Sequence, residues 1–130
     1  MDYRFVAFDN PRVLNVVVTL RSWDLFLGGP ANIASTAIFL AVMARLAGYE
    51  PGVVTVQAAN VHIYLPDHLD AVRELLGRKH FDAPHLALAE RIRPIRDLDG
   101  IAGAFARIEP ADLTLVGYEC HSPIKAAMAA

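Results

Sequence analysis

Arg21 and Ser22 stand at the end of a β-type run, Asp24 follows, Gly28-Gly29-Pro30 reverses the chain, and Asn32 falls in the first turn of an apolar segment from Ile33 to Leu46. A guanidinium makes paired, charge-assisted bonds to phosphate oxygens, and a neighbouring hydroxyl adds another donor. The amide of Asn32 offers one acceptor and two donors, a set that matches the N3–H and O4 of uracil; a carboxylate there would instead accept from the exocyclic amine of cytosine. Taken singly, these residues also have plainer readings: a strand-end charge, a turn aspartate, an asparagine capping a helix. Further on, His62 and Tyr64 are two apart in an alternating run and share a strand face with Asn60. Three polar groups at one strand end make a site wall, or are polar side chains satisfied within a core.

The elements that position these residues are legible from pattern. Tyr3–Phe8 and Val13–Leu20 are β-branched or aromatic runs separated by Asp9-Asn10-Pro11-Arg12, which predicts a hairpin. Val16-Val17-Val18 is apolar on both faces, so the second strand is expected inside a sheet covered on both sides. Pro30 suits a first helical position and Gly48 the C′ position that closes the helix. Between them apolar residues surround the axis, the pattern of a buried helix. Tyr49-Glu50-Pro51-Gly52 reads as a type II turn, and Val53–Leu65 as a strand. Pro66-Asp67 opens a short helix with Leu69, Val72, Leu75 and Leu76 on one stripe, ended by Gly77. A strand at Leu86–Ile92, a helix over Leu98–Ile108 and a strand at Leu113–Tyr118 complete the chain. The expected fold class is α/β, of the α+β type: one domain over residues 1–130, with a mixed β-sheet packed around one long buried helix.

Composition narrows the partners. Hydrophobic residues make up 55%, charged residues 20%, and mean hydropathy is +0.34 over 130 residues. That is apolar for a small monomer, and it implies a surface that another subunit or another half of the protein covers. A net charge of −2 gives no global basic field for nucleic acid. The single Cys120 leaves no internal disulfide and fits a reducing compartment. The apolar run Ala37–Ala44 is far shorter than the ~18–20 residues of a membrane span, so a cytoplasmic protein without membrane attachment is expected.

Other clusters carry less. His80 and His85 flank Asp82, but that spacing does not assure convergent ligands, and no metal is expected. Arg91, Arg93 and Arg96 read as a solvated face. Cys120 has no cationic helix terminus beside it to lower its pKa and reads as structural.

The segment from Arg21 to Ser35 resembles the nucleotide-site signature of the thymidylate synthase family, Arg-Ser-x-Asp-x-Phe-Leu-Gly-x-Pro-x-Asn-Ile-Ala-Ser. Arg21, Ser22, Asp24, Phe26, Leu27, Gly28, Pro30, Asn32, Ile33, Ala34 and Ser35 all match it. His62-Ile63-Tyr64 resembles the family's His-x-Tyr strand, and Gly117-Tyr118, His121, Ile124-Lys125 and Met128-Ala129-Ala130 its C-terminal end. Ala58-Ala59-Asn60 departs from the Gly-Gly-Asp that often precedes His-x-Tyr.

The resemblance is to the C-terminal half of such an enzyme. Counting back from Arg21 without a gap puts the family's cysteine nucleophile on Met1, so no catalytic residue is expected in this chain and inactivity alone is. The resemblance implies a phosphate grip at Arg21 and Ser22, base selection for uracil at Asn32, sugar contacts at His62 and Tyr64, and a nucleotide wall that includes Trp23, Asp24 and Ile63. It further implies folate contacts at Asp24 and Ala129, with 5,10-methylenetetrahydrofolate as co-substrate, further arginines from another subunit, and a homodimer or a missing N-terminal half as partner. The activity implied is one-carbon transfer to C5 of dUMP. Hydroxymethyl transfer within the same family, or a non-catalytic nucleotide-binding module, are the alternatives.

Overall fold

The computed structural model describes residues 1–65, 68–95 and 98–127, without the side chains of 98, 99, 101 and 102. The hairpin is as expected: β1 (Asp2–Asp9) runs antiparallel to β2 (Arg12–Asp24), and Asp9 pairs with Arg12 across Asn10-Pro11. The chain then crosses over through helix α1 (Gly29–Ala47) and returns as β3 (Glu50–His62), parallel to β2. Parallel neighbours need such a crossover, because a tight turn cannot restore the strand direction. The sheet order is β1-β2-β3, which makes it mixed. Helix α2 (Leu69–Gly77) follows, then β4 (His85–Leu88), α3 (Leu98–Ala106) and β5 (Leu113–Val116). β4 and β5 form a separate antiparallel pair.

Helix α1 joins the two sheets. Leu40 and Ala44, one turn apart, pack on Leu14, Val16, Val18 and Leu20 of β2. Val42 and Leu46, on the opposite side at 100° per residue, pack on Ile92 with Leu88, Ile108 and Leu113 around it. Pro30 sits in the first turn, and Gly48 closes the helix at φ 75°, a left-handed conformation that a side chain disfavours. By length and composition α1 could cross a membrane, being longer than its Ala37–Ala44 stretch suggests. Its packing into two protein clusters instead marks a core helix.

Several expectations need correction. The outer face of the three-stranded sheet is not covered: Val6, Phe8, Val53 and Val61 are 43–61% exposed on it. Ile33 is also exposed, so the N-terminal half of α1 is not enclosed as its composition suggests. Leu75 and Leu76 of the α2 stripe are exposed too. The strand expected over Leu86–Ile92 ends at Leu88, and Ile92 is buried through the turn that follows.

Glu50-Pro51-Gly52 is not a turn but the start of β3. Gly52 stands where β2 shifts register between Leu14 and Val16, and the Asn15 side-chain carbonyl accepts from the Val53 N–H at 2.8 Å. A Cβ on Gly52 would run into Asn15 Oδ1 and the Val13 side chain. Gly52→Ala is therefore expected to destabilise the fold by about 1–3 kcal/mol, as overpacking does. A urea midpoint unchanged from wild type would show that the two strands can part at no cost.

Candidate functional site

Alternation carries the core face of β2 past Leu14, Val16, Val18 and Leu20 to Ser22 and Asp24, and that of β3 past Val54, Val56 and Ala58 to Asn60 and His62. The two polar ends are in register, Ser22 beside Asn60 and Asp24 beside His62, and the Leu25 N–H donates to the His62 carbonyl at 2.9 Å. One face therefore changes from apolar to polar at the carboxyl ends of two parallel strands, which is where open α/β sheets place ligands.

The corner after β2 is fixed by Asp24. Its Oδ1 accepts from the backbone N–H groups of Phe26 and Leu27, at 3.0 and 3.1 Å, and its carbonyl from that of Gly28 at 3.1 Å. The turn reading of Asp24 is thus correct, and Oδ2 remains for another donor. Asn32 does not cap α1, whose N-cap is Gly28. Its Oδ1 instead accepts from the Trp23 indole N–H at 3.1 Å. That bond ties the last turn of β2 to the first turns of α1, and it leaves both amide hydrogens and one oxygen lone pair available.

Arg21 and the N-terminus of α1 bring positive charge to this corner beside the Asp24 carboxylate. Arg21 and Ser22 are exposed, and no ion pair among the described residues involves Arg21. The first turn of α1 contains no acidic residue, so the partial positive charge at its N-terminus is not offset from within the helix. Tyr64 stacks edge-on against His62 at 5.0 Å, and Ile63 between them is half-buried. The structure thus brings Arg21, Ser22, Trp23, Asp24, Asn32, His62, Ile63 and Tyr64 to one end of the sheet. Ala129 lies outside the described residues.

Arg91, in the turn after β4, has a different setting. Arg91 forms a two-pronged ion pair with Asp112, a residue buried at 6% exposure, with Glu109 beside it. The hydrogen bond from Arg91 holds the Asp112 carboxyl below its ordinary range, helped by the Glu109 N–H, and the same bond raises the Arg91 guanidinium. Arg91 is an exposed charge, as expected, that also fastens the turn after β4 to the turn before β5. Residue types at the corner led to the site, but His68, buried between Phe26 and Tyr64, gave no signal in the sequence.

A family model described as "Thymidylate synthase" matches residues 1–130. Among curated proteins, thymidylate synthase of Bordetella parapertussis is 33% identical over 98% of this chain, and that of Mycoplasma mobile 37% over 96%. The chain spans 39% and 40% of their respective lengths. The crystal structure of thymidylate synthase from T4 phage superposes with a TM-score of 0.83 at 29% identity, over 98% of this chain and 44% of that one.

Proposed function

The chain belongs to the thymidylate synthase family, and on that premise we propose that it supplies the nucleotide wall of an enzyme transferring a one-carbon unit from 5,10-methylenetetrahydrofolate to C5 of dUMP. The observation that carries this reading is the polar continuation of the core face at Ser22, Asp24, Asn60 and His62, beside the N-terminus of α1 and an Arg21 that joins no ion pair among the described residues. Arg21 and Ser22 take the 5′-phosphate, Asn32 the uracil edge, and His62 and Tyr64 a sugar hydroxyl. Trp23 and Ile63 flank the base and sugar positions. Asp24 turns its remaining oxygen to the pterin of the folate, and Ala129 is a further folate contact.

In the complete enzyme a cysteine thiolate adds to C6 of the base, which makes C5 nucleophilic toward the methylene carbon of the folate. What this chain contributes is orientation. Phosphate, base edge and sugar are each held by a different element, so the ring presents C5 in one pose. The protein is a cytoplasmic homodimer in this reading, and the exposed apolar face of the sheet supports a second subunit or the remainder of the enzyme lying against it.

Asn32 tests the base assignment. Asn32→Asp keeps an oxygen for the Trp23 indole but replaces the amide donors with acceptors, so uracil O4 loses its partner while the cytosine amine gains one. An unpaired buried polar group costs about 1–3 kcal/mol. The ratio of dCMP to dUMP affinity is therefore expected to rise by roughly 10-fold or more, measured by competition in the complete enzyme. An unchanged ratio in a folded variant would confine Asn32 to its bond with Trp23.

A further inference from the structure

His68 is the most completely buried polar side chain among the described residues, at 0% exposure. It precedes α2, where its N–H donates to the Tyr64 carbonyl at 3.0 Å and its own carbonyl accepts from the Val72 N–H at 2.9 Å. Its ring lies 5.6 Å from Tyr64, nearly edge-on, and 5.4 Å from Phe26. Its Nε2 is 2.7 Å from the carbonyl oxygen of Ala127. A carbonyl oxygen only accepts, so Nε2 must carry the hydrogen of this bond. One imidazole thus touches three parts of the chain: the corner after β2, Tyr64 just beyond the end of β3, and the C-terminal segment.

Two further bonds hold that segment, from Arg78 Nη1 to the Ser122 carbonyl at 2.6 Å and between His121 Nε2 and the Lys79 carbonyl at 2.8 Å. Both lie in exposed surroundings, where water competes. The His68 bond is part-buried, with its ring closed to solvent and only the Ala127 end exposed.

The geometry points to His68 as a positioning residue that latches the C-terminal segment, through the Ala127 carbonyl, to the wall formed by His62 and Tyr64. Its service to a nucleotide rests on the function proposed above; the latch itself does not. His68 makes no contact with substrate in this role. It sets where Ala127 lies, and through its ring it holds Tyr64 against His62.

Nuclear magnetic resonance on the 130-residue chain tests this without ligand. The ring nitrogens of His68 are expected to show hydrogen on Nε2, with slow exchange against solvent. Deleting residues 127–130 should leave the amide spectrum of Val16, Val18, Leu40 and Ala44 in place, speed Nε2–H exchange by about 10-fold, as loss of an ordinary hydrogen bond implies, and shift the Tyr64 ring resonances. His68→Leu should free the Ala127 amide to move on the nanosecond scale, and His68→Gln, whose side-chain amide also donates, should restore part of its rigidity. Hydrogen on Nδ1 alone, or Nε2–H exchange and Tyr64 resonances unaltered by the deletion, would overturn the latch, whether or not His68→Leu folds. Because none of these readings uses nucleotide, they fail separately from the Asn32 competition.

Discussion

Given dUMP tritiated at C5 together with 5,10-methylenetetrahydrofolate, the 130-residue chain by itself is expected to release no tritium above background. Counting back from Arg21 without a gap, the family's nucleophile is expected at Met1, whose sulfur is a thioether and has no proton to lose, so it cannot become the anion that attacks C6. Loss of a nucleophile typically lowers kcat by on the order of 10⁶-fold. Nothing at Met1 compensates: it is 61% exposed, and its sulfur accepts a hydrogen bond from the Tyr3 hydroxyl. Cys120 is the one thiol in the chain, exposed in the C-terminal segment. Turnover that disappears in Cys120→Ser would make that thiol the nucleophile and undo the assignment.

Arg21→Ala in the complete enzyme is expected to weaken dUMP binding by about 10- to 150-fold while leaving deoxyuridine nearly unaffected. The range follows from a charge-assisted bond to phosphate of roughly 1.5–3 kcal/mol. The asymmetry follows from the structure: Arg21 is exposed and joins no ion pair among the described residues, so truncating it should not disturb the fold. Calorimetric titration of both ligands into wild type and variant measures the difference. Equal losses for nucleotide and nucleoside would mean that Arg21 supports the strand end and leaves the phosphate alone.

The parts of the fold legible in the sequence were those encoded by local chemistry. Asn10-Pro11 between two β-branched runs announced the hairpin, and Pro30 and Gly48 bracketed α1, because proline fixes its own φ and glycine tolerates the left-handed conformation that ends a helix. The corner from Arg21 to Asn32 was legible as a pattern of residue types at fixed spacing. What escaped depends on partners distant in sequence. His68 bonds to a backbone carbonyl at Ala127, which leaves no trace in residue type. Arg91 is the surface charge it looked like, but nothing near it in sequence tells of its pairing with the buried Asp112. Gly52 looked like a turn residue because nothing in its neighbourhood tells of Asn15 on the adjacent strand. Likewise, Val16-Val17-Val18 in β2 revealed two apolar faces without revealing that this chain covers only one.

The register between β2 and β3 also bears on the order in which the molecule assembles. The β1–β2 hairpin closes across two residues, a local and rapid event, whereas Ser22 meets Asn60 and Asp24 meets His62 only after the whole crossover through α1 is in place. The polar wall is therefore among the last features to form. A chain caught with the hairpin made but β3 undocked has Arg21 and Ser22 and lacks every group opposite them. Any ligand that needs both strand ends recognises the finished fold alone, and so draws partly folded molecules toward it by mass action.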